Sequence, residues 1–252
     1  MNGGGTGLVG ILSGSTQASG TNPVQALQLA VKNQTKAVAD EAKQPEVARD
    51  IAAFRKAVAK APDAKTLLTD PVARKVLLTA NGLGSQTDYA ALATKALLSD
   101  TTKPDSLASK LANTQWLTVA KTFDFANQGL AVLKDPKVLD SLASGYAEVA
   151  WRNSLDESTP GLSSALDFRT RASTIKSAYQ VLGDPTFRTV VTTALGIPQE
   201  IAYQSLDAQA KAITDRVDLT KFNSPGFVEQ FTRRFLVAAS TSSSGQSSGL
   251  LV

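Results

Sequence analysis

The phrase DPVARKVLLTANGLG at 70–84 returns in outline as DPTFRTVVTTALGIP at 184–198. Each copy begins with Asp-Pro, carries apolar residues at helical spacing and closes around a glycine. An Asp side chain accepts hydrogen bonds from the free N–H groups at a helix start, and Pro at the first helical position gives up only an N–H that has no partner there. The phrase therefore reads as a capped helix. The same logic applies at Asn22-Pro23 and Asp135-Pro136, so four helix beginnings are predicted.

An offset of 114 residues superposes Asp70-Pro71 on Asp184-Pro185, Phe54 on Phe168, Arg74 on Arg188, Val76 on Val190, Ala80 on Ala194, Gly82 on Gly196 and Tyr89 on Tyr203. Further out, Asn22-Pro23 meets Asp135-Pro136 at 113, while Leu107 meets Leu219 and Phe123 meets Phe235 at 112. Small loop insertions between helices produce such drift. The reading is an internal duplication into two tandem helical units of about five helices each, 22–134 and 135–240, between a flexible N-terminal arm at 1–21 and a flexible C-terminal tail at 241–252.

Within a unit the spacing predicts a long capped helix, a second ending near the Asp-Pro, a short one ending at glycine, a fourth from about 86 or 199, and a last aromatic one. Val47, Ile51, Phe54 and Val58 line one helical face, as do Phe168, Ala172, Ile175, Tyr179 and Leu182. Gly82, Gly183 and Gly196 stand where helices end on a left-handed residue. Trp116, Val119 and Phe123 form a stripe in the last helix, mirrored by Val228, Phe231 and Phe235. No comparable stretch alternates with the period of a strand, and Ala, Leu, Lys, Gln and Asp far outnumber Ile and Tyr, so the expected fold class is all-α.

The chain has no Cys and no His. That removes thiolate nucleophiles, imidazole acid–base catalysis and the commonest zinc ligands, and no cofactor or metal site is expected. Hydrophobic residues make up 42% and charged ones 19%, a globular composition without an integral membrane segment. The net charge of +4 is spread without a basic block, so no nucleic-acid partner is expected.

Three polar patterns have spacings that bear on chemistry. GTGLVG at 5–10 has dinucleotide-fingerprint spacing but no strand before it, and reads as part of the arm. Ser173 and Lys176 have the spacing of a serine nucleophile and lysine base, without the further motifs such enzymes carry. Adjacent acids such as Asp40/Glu41 and Asp156/Glu157 diverge by about 100° on a helix and read as surface charge. The better candidates are arginines, which pair bidentately with carboxylates at interfaces: Arg152, Arg169, Arg171, Arg188, Arg233 and Arg234. Arg74 and Arg188 recur at equivalent places, which points to a shared salt bridge or helix-end contact. Among the aromatics, Trp116, Phe123, Phe125, Phe227, Phe231 and Phe235 read as core, whereas Tyr146 and Trp151 are candidates for a partner surface. The expected partner contacts are Trp151, Arg152, Arg233 and Arg234.

The run LDFRTRASTIKSAYQVLGDPTFRTVVTTALGIPQEIAYQSLDAQAKAITDRVDLTKFNSPGFVEQFTRRFL at 166–236, with LASKLANTQWLTVAKTFDF in the first half, resembles a proteobacterial family of all-helical proteins of unknown function encoded with flagellar genes. The resemblance covers most of 45–238 and brings no catalytic motif with it. It implies a non-enzymatic structural or assembly accessory of the bacterial flagellum, bound to flagellar or other protein subunits and exported by a flagellar-type route. The alternative is a cytosolic adaptor or export chaperone that holds a flagellar subunit in an apolar groove between the two units.

Overall fold

The predicted helix starts are all present in the computed structural model, which describes the backbone of residues 22–245 and side chains as far as 241. Asn22 accepts a hydrogen bond from Val24 N–H, Asp70 from Ala73, Asp135 from Lys137, and Asp184 from both Thr186 and Phe187. Each is followed by Pro in the first turn. The expected flexible arm at 1–21, with its GTGLVG, and the tail from 246 onward lie outside the described residues.

In chain order the α-helices are α1 Pro23–Glu41, α2 Pro45–Lys60, α3 Ala64–Thr69, α4 Pro71–Ala80, α5 Ala90–Leu97, α6 Leu107–Lys110, α7 Gln115–Phe123, α8 Phe125–Gln128, α9 Pro136–Leu155, α10 Leu162–Arg171, α11 Ala178–Gly183, α12 Pro185–Ala194, α13 Leu206–Thr214 and α14 Pro225–Gly245. Short 3-10 turns join several of them, among them Gly84–Gln86, Ala172–Thr174, Gln199–Tyr203 and Leu219–Asn223. The described residues contain helices and no strand, so the fold class is all-α. The boundaries of α3 and α11, and of α4 and α12, recur 114 residues apart.

Four local expectations need correction. The second helix of each half is two helices: Pro62 and the Asp63 cap separate α2 from α3, and extended Ile175 with the Ser177 cap separates the 3-10 turn after α10 from α11. That break turns Tyr179 out of the face of Phe168 and Ile175, leaving it 52% exposed. Gly183 has no left-handed φ, unlike Gly82 and Gly196; it ends α11 and makes room for the chain at Ala112, whose carbonyl would lie 2.8 Å from a Cβ there. The first residues of the expected tail continue α14, which runs through Gly245, and the Ser240 and Thr241 hydroxyls bond back to the carbonyls of Val237 and Ala238 in that helix. Phe125 lies beyond the end of α7, across left-handed Asp124, and its ring stacks on Phe123 at 5.4 Å.

One apolar core runs through both halves, from Leu27, Phe54 and Trp116 to Phe168, Phe222 and Phe235. The first helix of each half lies on the other half: α1 packs on α9, α10 and α14, whereas α9 packs on α2 and α4. Gly145 permits the closest part of the α4–α9 contact, since a Cβ there would stand 3.2 Å from the Ala80 carbonyl oxygen. Among the described residues no helix is long and apolar enough to cross a membrane.

Candidate functional site

A cleft of about 920 Å³ lies between the halves, lined from α2, α4, α9, α10 and the start of α12. Two clusters of polar side chains reach its walls, the first through Lys75 and Tyr146 and the second through Arg152, Asp167 and Arg171, and each joins helices of both halves.

The first centres on Asp50, which α2 places on the apolar face between Val47 and Phe54, leaving it buried. Its Oδ2 accepts from Lys75 Nζ on α4 at 2.8 Å and from Tyr146 OH on α9 at 2.7 Å. Burial pushes the Asp50 carboxyl up, but these two hydrogen bonds outweigh it and hold the pKa below the ordinary carboxylate value. Lys75 is held above its ordinary value by the same hydrogen bond to Asp50 and by Tyr146, and Tyr146 is raised by its burial and by Asp50. These directions keep a carboxylate, an ammonium and a neutral phenol at neutral pH, so none of the three exchanges a proton there.

The second cluster is longer. Gln34 on α1 donates to Glu148 at 3.0 Å, and Arg152 lies 3.7 Å from the same carboxylate and donates to Asp167 at 3.0 Å. Arg171 donates to the other Asp167 oxygen and, at 2.7 Å, to Asp184 Oδ2. Asp184 at the same time caps α12 through its Oδ1. The Arg171 guanidinium lies over the Phe187 ring at 4.4 Å, and burial alone would lower its pKa; Asp167 and Asp184 reverse that and raise it. Arg152 Nε is buried and has no hydrogen-bond partner among the described residues.

The residues expected at a partner surface thus divide. Trp151 is a buried core residue, and Arg152, 11% exposed at its side chain, lines the cleft and is held there by Glu148 and Asp167. Arg233 and Arg234 lie on the exposed face of α14, Arg233 paired with Glu229 at 3.1 Å. Arg169 pairs with that same Glu229 at 2.9 Å. Arg74 makes the expected helix-end contact, donating to the Leu68 and Thr87 carbonyls at 3.0 Å, but its equivalent Arg188 is exposed and makes none of these bonds. Lys176 Nζ bonds the backbone carbonyl of Ser173 at 2.8 Å and not its hydroxyl, which leaves the serine without a base. Asp156 accepts from Ser163 N–H at the start of α10, and burial raises its carboxyl above the ordinary value. Among the described residues no group of three or more Asp or Glu gathers as a metal site.

Sequence spacing missed Asp50, Lys75, Asp167 and Asp184 as a set, since they come from separate helices. A signal existed at Asp50, a charge at i+3 from Val47 and i−4 from Phe54 on an otherwise apolar face. The sign of its contribution follows from its direction. With a folded pKa below the unfolded one, its stabilisation is complete above about 3.8 and is lost as pH falls through the folded value. Lys75 runs the other way, its contribution complete below about 10.5 and lost as pH rises through the folded value. Asp50→Asn is expected to cost about 1–3 kcal/mol at neutral pH and to flatten the acid limb of the stability profile. Urea unfolding between about pH 3 and 8 checks both.

Comparison with known proteins adds a family and a fold. No curated protein matches the chain. The crystal structure of a protein from Agrobacterium tumefaciens is similar to it with a TM-score of 0.72 and 22% identity, over 90% of this chain and 98% of that one. A family profile described as protein of unknown function (DUF1217) matches residues 80–228. That match spans more than half of the residues and both charged clusters' shared helix α9, and by it the chain belongs to the DUF1217 family.

Proposed function

We propose that this protein is a non-enzymatic helical scaffold that works by binding other proteins, as a structural or assembly accessory of the bacterial flagellum. The observation that carries the scaffold reading is the pairing in the cleft. Its buried carboxylates are matched to cations or a phenol, and the resolved shifts fix charge states instead of poising a group near neutrality. Such a cluster joins helices from both halves and leaves little chemistry to offer a substrate. The flagellar part rests on the resemblance of 45–238 to proteins encoded with flagellar genes. The cleft walls mix apolar residues such as Val47 and Val149 with paired charges such as Arg152 and Asp167, so they do not offer a client segment the continuous apolar groove that the chaperone alternative calls for.

Fractionating a motile culture into cytosol, membrane, medium and sheared filament tests the proposal, with the full chain compared against one lacking residues 1–22. The full chain is expected outside the cell with the filament, and the shortened chain inside. Recovery of both from the cytosol alone would refute the external role and turn attention to a cytosolic adaptor.

A further inference from the structure

One contact between the halves is made only once. The turn after α4, at left-handed Gly82, lies against Arg171: a Cβ on Gly82 would be 3.7 Å from its Nε and Cζ. On the second half the turn meets Arg171, which Asp167 and Asp184 hold in place. At the 114-residue offset Asp167, Arg171 and Asp184 correspond to Ala53, Ala57 and Asp70 on the first half, and Gly82 corresponds to Gly196. Neither counterpart is engaged. Ala53, Ala57 and Asp70 line an open groove of about 520 Å³ between α2 and α3, and a Cβ on Gly196 would meet nothing within 4 Å.

The contact is not repeated because the first half carries Ala57 where the second carries Arg171, and this leaves one turn and one groove free in each chain. A turn of one copy seated in the groove of another is a heterologous contact, which continues through further copies unless its rotation closes a ring.

The two free surfaces also match in chemistry. The groove has a floor of small apolar residues, Ala53, Ala57, Ala61 and Pro62, and is flanked by Lys56 and Lys60. These lysines are exposed, stand one helical turn apart and have no acidic partner among the described residues. Like charges at that spacing repel. The free turn leads directly into Gln199–Tyr203, where Glu200 is exposed, and then to Tyr203 and Leu206, exposed by 89% and 62%. Acid and exposed apolar side chains are what the lysine-flanked groove lacks.

We propose that the α2–α3 groove receives the Gly196 turn of a second copy of this chain, with Glu200 set against Lys56 and Lys60, so that copies associate head to tail. The partner is this chain itself, and the inference does not depend on the flagellar reading.

Sedimentation velocity on the purified full chain over a concentration series tests it. The weight-average mass is expected to rise past that of a dimer. K56E/K60E and E200K are each expected to weaken association by about tenfold or more. All three positions are exposed, and unchanged helical circular dichroism separates lost association from lost fold. Mixing the two variants restores growth, because each groove then faces a turn of opposite charge. A wild-type chain that stays monomeric, growth that stops at the dimer, or variants that associate like the wild type would each overturn the proposal. None of these outcomes bears on where the protein resides, so the scaffold proposal is tested separately.

Discussion

Arg171→Ala is expected to lower stability by about 3–5 kcal/mol, measured by urea unfolding at neutral pH. The side chain is 14% exposed and its partners Asp167 and Asp184 are 18% and 5% exposed. Removing the guanidinium strands the Asp184 Oδ2 away from water and leaves the half-buried Asp167 with Arg152 alone, which costs more than a missing surface ion pair. The loss includes the stacking on Phe187, and the Asp184 cap of α12 survives because it uses the other oxygen. Arg233→Ala is the internal control. That side chain is 44% exposed and its Glu229 partner retains Arg169, so the change is expected to stay within about 0.5 kcal/mol.

Phe168→Ala is expected to cost about 3–5 kcal/mol, read from the same unfolding curves. Phe168 is fully buried and joins three rings, edge-on to Phe187 at 6.0 Å and Phe222 at 5.3 Å and stacked on Phe231 at 5.6 Å. The deleted ring leaves a cavity whose walls are themselves rigid aromatics and collapse poorly. Its equivalent Phe54 is just as buried, but no ring pair among the described residues includes it, so Phe54→Ala is expected nearer the lower end. A result in which the two positions cost the same would mean that the aromatic cluster adds nothing beyond buried area.

These two positions show what the sequence made readable and what it did not. Phe168 was identified as core because helical periodicity is a local property, and the Asn/Asp-Pro starts were identified because capping involves residues two or three apart. The interruptions at Pro62-Asp63 and Ile175–Ser177 were harder, since the apolar rhythm continues through them while the backbone does not. Arg171 was noticed as an arginine, but its burial depends on Asp184, thirteen residues on and beyond α11, and on the Gly82 turn from the other half. Trp151 reads as a surface group on an isolated α9 and is buried because α1, α2, α4 and α10 pack around that helix, while Arg152 is held by Asp167 from α10. The Asp50–Tyr146 pair spans 96 residues, a separation at which no spacing rule operates. The missed parts are tertiary in origin.

The exchange of first helices also dictates an order of events as the chain leaves the ribosome. The first half has its own α2 and α4 early, yet the helix that covers them is α9, which ends at Leu155. Among the described helices α1 is made first, and its packing partners α9, α10 and α14 all follow much later, α14 last. Contacts this distant in sequence pay their loop-closure entropy before they yield any stabilisation. Contacts within the first half, such as α2 on α4 and α5 on α7, can form early, whereas the seat of α1 on α14 is completed only after the last of the described helices is made.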